Sequence, residues 1–157
     1  MSPETDVSMT LSTRIESAMR DAMRARDEQR TVTLRMAMAA AHNERIARGR
    51  ELTDAEVVDV LTRQVKQRRE SIAMYRDAGR DDRAASEEAE AAILAEFLPD
   101  QLDEAAIEAL VREAIAETGS KEPSDLGRVM GRVAPQTRGR ADGRVVSEIV
   151  RRVLTEG

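Results

Sequence analysis

The residue types in the last third of this chain, and their spacing, suit the binding of phosphate groups. Between Leu126 and Arg144, four glycines and five arginines fall within nineteen positions of a sequence that is otherwise rich in helix formers. A guanidinium can bind phosphate through paired hydrogen bonds, and a glycine allows another backbone to approach closely. Each glycine inside a helix costs about 1 kcal/mol relative to alanine, so these glycines need a structural or a functional reason.

A helix over residues 125–134 would place these residues on separate faces. Its core face follows the i, i+3, i+4, i+7 spacing and consists of Leu126, Val129, Met130 and Val133. Gly127 and Gly131 form a bare-backbone stripe beside that face. Arg128 and Arg132 point away from it. Two explanations stay open for the glycines: tight packing of a neighbouring helix, or approach by a sugar-phosphate backbone.

The segment 138–144 is predicted to be a turn that leads into the last helix. Asp142 can cap that helix, which would leave backbone amides free beside Arg140 and Arg144 and create a phosphate site. Close backbone approach is also predicted at two further glycines of the segment, Gly139 and Gly143. A structural turn with solvated arginines is the alternative.

A second group of basic residues lies in the third predicted helix. Lys66 and Arg69 fan across the side away from the apolar stripe, where an ordinary solvated face is the simpler interpretation. Arg68 lies nearer the apolar stripe, which is unusual for an arginine. We therefore expect it to pair with a carboxylate of the acidic fourth helix.

The remaining residues that could do chemistry do not form a catalytic pattern. The chain has no cysteine, and its single histidine, His42, lies in mid-helix, where we expect it to be partly buried. None of the common nucleophile, phosphate-loop, zinc or dinucleotide motifs occurs. Glu87, Glu88 and Glu90 are predicted to form a solvated helix face. We therefore predict no catalytic residue, no metal site and no cofactor.

Composition points to a cytoplasmic protein with segregated charge. No apolar run approaches the roughly 20 residues that span a bilayer, and the acidic N-terminus lacks the apolar segment of a signal peptide. The net charge is −5. Residues 1–80 carry 15 basic and 13 acidic groups, residues 81–118 carry 2 and 12, and residues 119–157 carry 8 and 5. Because the ends are weakly basic, an anionic partner is compatible with the acidic whole.

Composition and periodicity predict an all-α fold. The aromatic residues are limited to Tyr75 and Phe97, and β-branched residues never alternate over the length of a strand. We predict a disordered tail at residues 1–10, an N-terminal helical hairpin layer of about four helices at residues 11–98, and a C-terminal three-helix module at residues 103–157.

Local signals predict the ends of the helices. The seven helices are expected from near Leu11, then over about 28–48, 53–78, 82–98, 104–118, 125–134 and 143–154. The segment 53–56 has the form of a capping box. Three further N-caps are predicted at Asp103, Ser124 and Asp142. Pro135 is expected to end the sixth helix.

The apolar stripes predict which helix faces are buried. One stripe of the second helix consists of Val32, Met36, Ala39, Asn43 and Ile46. Leu34 and Met38 lie on another face of that helix, so we expect neighbouring helices on both sides. The inward face of the fourth helix is predicted to consist of Ala85, Ala89, Ala92 and Ile93.

Six segments together resemble the GatB/YqeY family, and more closely its stand-alone YqeY-like members. They are Thr33-Leu34-Arg35-Met36, Lys66-Gln67-Arg68-Arg69-Glu70-Ser71, Ala78-Gly79-Arg80, Phe97-Leu98-Pro99-Asp100-Gln101-Leu102, Leu126–Met130 and Gly139-Arg140-Ala141-Asp142-Gly143. Each motif is weak alone, but their order and spacing are specific and cover nearly the whole chain from about residue 9.

The resemblance implies two all-helical subdomains. It also implies kinship with the tail domain of the subunit that helps amidate misacylated Glu-tRNA or Asp-tRNA. In that setting the tail domain contacts tRNA, and similar modules are appended to some glutaminyl-tRNA synthetases. The kinase-like catalytic core of the amidotransferase has no counterpart in this chain.

These observations predict a non-catalytic accessory module that binds tRNA. The residues expected to contact RNA are first Arg128, Arg132, Arg138, Arg140 and Arg144, and then Lys66 and Arg69. One alternative is a module that docks on an aminoacyl-tRNA synthetase or an amidotransferase through its helix faces. Another is a participant in glutamine-dependent amidation. Structured RNA is expected rather than DNA, and no membrane partner is expected.

Overall fold

The computed structural model describes residues 9–156 and is all-helical over that range. It contains seven α-helices, one short 3-10 helix and no strand within those residues, which confirms the predicted all-α class. The chain divides into two compact units between Leu98 and Pro99. Of the tail predicted at residues 1–10, residues 1–8 lie outside the described part. Thr10 caps the first helix, its side chain accepting the N–H of Thr13.

The first unit contains four helices, and the first three start at a residue whose side chain caps a backbone N–H. Their bounds are α1 Leu11–Arg24, α2 Glu28–Arg48, α3 Asp54–Asp77 and α4 Asp81–Ala95. The predicted capping box is confirmed, because Thr53 accepts the N–H of Glu56 while the Glu56 side chain accepts the N–H of Thr53. Gly49 ends α2 in the left-handed conformation, at φ +70°.

The prediction that α2 has neighbouring helices on both sides was wrong for one side. The stripe expected in the core is exposed over its whole length: Val32, Met36, Ala39, Asn43 and Ile46. The other predicted face is buried through Leu34, together with Ala37, and it packs on α1, α3 and α4. Both faces are apolar, so periodicity could not decide which of them would find a partner within the chain.

The prediction for α4 was wrong in a similar way. Ala84 and Leu94 are its buried residues, whereas three of the expected core positions are exposed: Ala85, Ala89 and Ala92. Ile93 is half-buried. Burying a leucine side chain contributes roughly 1.5–3 kcal/mol and an alanine much less, so Leu94 orients the helix. The helix also ends at Ala95, three residues before the predicted Leu98.

The expected pairing of Arg68 with α4 is confirmed. Arg68 is only 6% exposed, and its Nε lies 3.8 Å from Oε2 of Glu90. Its Nη1 donates to Oε1 of Gln64 at 3.2 Å. Burial, with the nearby Glu87, raises the pKa of Glu90 although Arg68 opposes this. Glu90 therefore does not belong to a solvated face.

The second unit is a three-helix module with its own core. Its elements are α5 Glu104–Thr118, a 3-10 turn Pro123–Asp125, α6 Leu126–Thr137 and α7 Gly143–Glu156. The buried residues are Ile107, Val111, Ala114, Val129, Val133, Val146, Ile149, Val150, Val153 and Leu154. The caps predicted at Asp103 and Asp142 are confirmed, since they accept the N–H groups of Ala106 and Arg144 at 2.8 Å.

Two local predictions in this unit were wrong. Ser124 is not an N-cap but lies inside the 3-10 turn, which its neighbour Asp125 stabilises. The N–H groups of Lys121 and Glu122 donate to the Asp125 carboxylate and hold its pKa below the usual value. Pro135 does not end α6, which continues to Thr137. A proline this close to the C-terminal end of a helix removes only one late hydrogen bond.

Candidate nucleic-acid interface

The glycine stripe of α6 faces open space. Val129 and Val133 are fully buried on the opposite side, whereas Gly127 and Gly131 are exposed. A Cβ added to either glycine would meet no atom of a neighbouring element within 4 Å. Tight packing of another helix of the second unit is therefore excluded as the reason for these glycines. They leave a strip of bare helix backbone on the surface.

The two arginines of α6 border this strip and differ in their surroundings. Arg128 is exposed and forms no ion pair or side-chain hydrogen bond within residues 9–156. The backbone hydrogen bonds that Asp125 accepts are the main cause of its lowered pKa, and the positive charge of Arg128 is a smaller cause. Arg132 is also exposed and lies 3.6 Å from a carboxylate oxygen of Glu117. A surface pair of this kind contributes little free energy, so both guanidinium groups are accessible to a ligand.

Arg140 has a structural role that the sequence did not reveal. It is half-buried, and its Nε donates to the carbonyl oxygen of Asp100 at 3.1 Å. Its Nη1 donates to the carbonyl oxygen of Gln136 at 3.4 Å. The side-chain amide of Gln101 donates to the carbonyl of Gly139, and the N–H of Leu102 donates to the carbonyl of Arg140, both at 2.8 Å. The turn at 139–140 is thus fastened to the segment 100–102.

The start of α7 is less open than predicted. Gly139 is buried and adopts φ +74°, a conformation that glycine favours. The side chain of Asp142 takes up the N–H of Arg144, so that amide is not free for phosphate. The guanidinium of Arg144 remains exposed and makes no hydrogen bond or ion pair in the described residues. Arg138 and Gly143 are exposed as well.

One exposed arginine was missed by the sequence reasoning. Arg151 lies seven residues after Arg144 on α7, which places both side chains on the same face of the helix. The helical spacing was the signal that could have found it. The second unit therefore presents accessible arginines on both α6 and α7.

The secondary candidates lie in the first unit. Lys66 and Arg69 on α3 are both exposed, and neither makes an ion pair or hydrogen bond within the described part of the chain. Arg63, on the same helix, lies 3.7 Å from Glu44. A solvated basic face describes these residues well.

One crevice of the first unit lacks a free cation. It has a volume of about 300 Å³ and lies between the start of α1, the middle of α2 and the start of α3. At its rim, Arg45 donates to Glu51 and contacts Nδ1 of His42, both at 2.9 Å. His42 is exposed, so the prediction that it is partly buried was wrong. Because its arginine is neutralised, this crevice suits phosphate less well than the second unit does.

Fold and surface together define an all-helical protein of two units, one of which exposes arginines beside bare backbone. Among the residues that the structure describes, no helix is long and apolar enough to cross a membrane. The family model described as Yqey-like protein matches residues 12–154. The chain therefore belongs to the YqeY-like family, which confirms the resemblance seen in the sequence.

A curated protein is similar to most of this chain. The chain is 28% identical over 146 residues to a protein of Pyrenophora tritici-repentis called Altered inheritance of mitochondria protein 41, mitochondrial. The match covers 90% of this chain and 79% of the relative.

Proposed function

We propose that this chain is a non-catalytic accessory protein that binds structured RNA, with tRNA as its ligand, in the cytoplasm. The observation that carries the proposal is the open glycine stripe of α6 beside Arg128. Gly131 lies in the interior of α6 and costs about 1 kcal/mol of helix stability, and Gly127 lies in its first turn. No neighbouring helix of the second unit uses the space beside them. A sugar-phosphate backbone approaching Gly127 and Gly131 would account for both glycines and for the arginines next to them.

The scarcity of aromatic side chains favours folded RNA over single-stranded RNA as the ligand. Single-stranded RNA is usually held by stacking of bases on aromatic side chains. Tyr75 and Phe97 are the only aromatic residues, and both are half-buried. Recognition through phosphates and shape, as for folded RNA, suits a surface of arginines and bare backbone. The proposed contacts on the second unit are Arg128, Arg132, Arg138 and Arg144, with Arg151 added.

A second candidate function uses the same stripe for a protein. A helix of an aminoacyl-tRNA synthetase or an amidotransferase could pack on Gly127 and Gly131, because their backbone is open to close approach. The arginines would then matter little for binding. Participation in glutamine-dependent amidation would be established if the purified chain amidated Glu-tRNA by itself.

A gel-shift titration with total tRNA tests the RNA proposal. We expect the double variant Arg128→Glu/Arg144→Glu to bind tRNA at least about tenfold more weakly than the wild type, because each reversal replaces an attraction to phosphate by a repulsion. Wild-type affinity should also fall steeply when salt is raised from about 50 to about 200 mM. Arg140 is left unchanged, because its loss would loosen the 139–140 turn.

The matched control is Arg83→Glu on α4. Arg83 is an exposed arginine without an ion pair in the described residues, and its reversal should leave tRNA affinity unchanged. Circular dichroism would verify that all variants are folded. Wild-type binding that is absent at low salt, or that does not respond to salt, would contradict the proposal. Loss of tRNA binding by Arg83→Glu to the same degree would show attraction by overall charge only.

Substitution of the glycines should separate stability from binding. Gly131→Ala should raise the free energy of unfolding by about 1 kcal/mol, because alanine favours helix and meets open space. Gly127→Ala, in the first turn of α6, should raise it by less. The same changes should weaken tRNA binding, since the added methyl groups keep a backbone away. Urea titration and gel shift measure the two effects. Gly119→Ala, at φ +66°, should instead destabilise the fold. If the double variant Gly127→Ala/Gly131→Ala bound tRNA as tightly as the wild type, the glycine stripe would not be part of the RNA interface.

A further inference from the structure

The outward face of α2 is an apolar stripe that the other helices of the first unit leave uncovered. Val32 is 42% exposed, Met36 is 51% exposed and Ile46 is 64% exposed. Ala39 and Asn43 lie between them and are exposed too. The five residues share one side of a 21-residue helix whose opposite side is in the core. Large apolar side chains aligned along one helix are typical of an interaction surface.

The spacing of this stripe is that of a helix–helix seam. Its members follow one another at intervals of four, three, four and three residues, which is the heptad pattern of positions a and d. Helices that bury a broad face in a globular core show a wider stripe. Asn43 is the one polar member of the seam.

We propose that a second copy of this chain covers the stripe, with the two α2 helices antiparallel about a two-fold axis at Ala39. The stripe is self-complementary in this arrangement, as a two-fold interface requires. Val32 of one copy lies opposite Ile46 of the other, and the small Ala39 side chains allow the helices to approach at the axis. Met36 of one copy then lies opposite Asn43 of the other. The wholly apolar pair of Val32 and Ile46 lies at each end of the seam.

The charges at the two ends of α2 favour the antiparallel direction. Glu28, in the first turn, is exposed and makes no ion pair in the described residues. Arg50 follows the C-terminal end and is also exposed, although it pairs with Glu56 of its own chain. The antiparallel register places Glu28 of one copy near Arg50 of the other at both ends of the seam. A parallel pair would instead bring the two Glu28 carboxylates together.

Sedimentation equilibrium of the full chain, up to high micromolar concentration, tests the proposal. We expect a reversible dimer in the wild type and a monomer in Met36→Glu, because the substitution places two carboxylates in the seam. The control is Met74→Glu on α3, where Met74 is 72% exposed and outside the seam; this variant should dimerise like the wild type. A wild type that stays monomeric would overturn the proposal and leave the stripe to a helix of another protein. A folded Met36→Glu variant that still dimerises would place the interface elsewhere.

Crosslinking distinguishes the two directions. The chain contains no cysteine, so single cysteines can be introduced and joined with a short bis-maleimide. Ala39→Cys should crosslink efficiently, because both copies of residue 39 lie at the axis. Ile46→Cys should not, because its two copies lie at opposite ends of the seam. Equal crosslinking at both positions would overturn the antiparallel arrangement.

Discussion

Replacement of Arg68 by alanine is expected to lower the free energy of unfolding by about 3 kcal/mol. Arg68 is buried, and it is the only cation within 4.0 Å of the Glu90 carboxylate in the described residues. Without it, Glu90 remains largely buried without a compensating charge, and the packing of the arginine stem is lost as well. Urea titration followed by the fluorescence of Tyr75, the single tyrosine, reports on the first unit.

The neighbouring Arg69 provides the matched control. It is exposed and without an ion pair in the described chain, so Arg69→Ala should change the stability by no more than about 0.5 kcal/mol. The double variant Arg68→Ala/Glu90→Gln should recover part of the loss, because it removes the stranded charge. Equal effects of Arg68→Ala and Arg69→Ala would mean that the buried pair does not stabilise the unit.

The penalty of Arg68→Ala should depend on pH. Burial raises the pKa of Glu90 in the folded protein above its ordinary value. The folded state therefore binds the proton of the Glu90 carboxyl more tightly than the unfolded state does. The resulting contribution to the free energy of unfolding is present at low pH and is lost as the pH rises through the raised pKa. Removal of Arg68 raises that pKa further. The gap between variant and wild type should thus be smaller at acidic than at neutral pH.

Leu94→Ala is expected to lower the free energy of unfolding of the first unit by about 3 kcal/mol. Leu94 is fully buried and belongs to the core that α4 forms with the other helices of this unit. Truncation removes its transfer free energy and leaves a cavity that the neighbours fill only in part. Urea titration with the tyrosine signal measures this effect too.

The control for this prediction lies on the same helix. Ala89 is exposed, so Ala89→Gln should alter stability by no more than about 0.5 kcal/mol. The two variants together distinguish the orientation seen in the structure from the one that periodicity suggested. If Ala89→Gln were the more damaging change, the alanine stripe would be the buried face after all.

The sequence predicted well those features that arise from neighbouring residues. The bounds of α2, the capping box at Thr53 and the caps at Asp103 and Asp142 all match. The caps depend on a side chain that bonds to a backbone group no more than three residues away, and the end of α2 depends on the left-handed backbone of Gly49. All the residues that form such a cap lie within a short stretch of chain, so its formation does not depend on the tertiary structure.

The candidate site was predicted only in part. Arg128, Arg144 and the glycines of α6 are exposed, as a binding role requires. Arg140 looked equivalent to them, yet its guanidinium bonds to the backbone of Asp100, forty residues away along the chain. No residue near Arg140 in the sequence indicates that contact, because it forms only when the segment 100–102 packs beside the end of α6.

The sequence by itself thus determined the helical class, most helix ends, the family and most of the exposed arginines of the second unit. Only the tertiary structure decided which apolar faces of α2 and α4 are buried, which arginine holds a turn, and that Gly127 and Gly131 are open. The physical reason is that burial and hydrogen bonding depend on partners distant in the chain. An apolar stripe looks the same whether a helix of its own chain covers it or another molecule does.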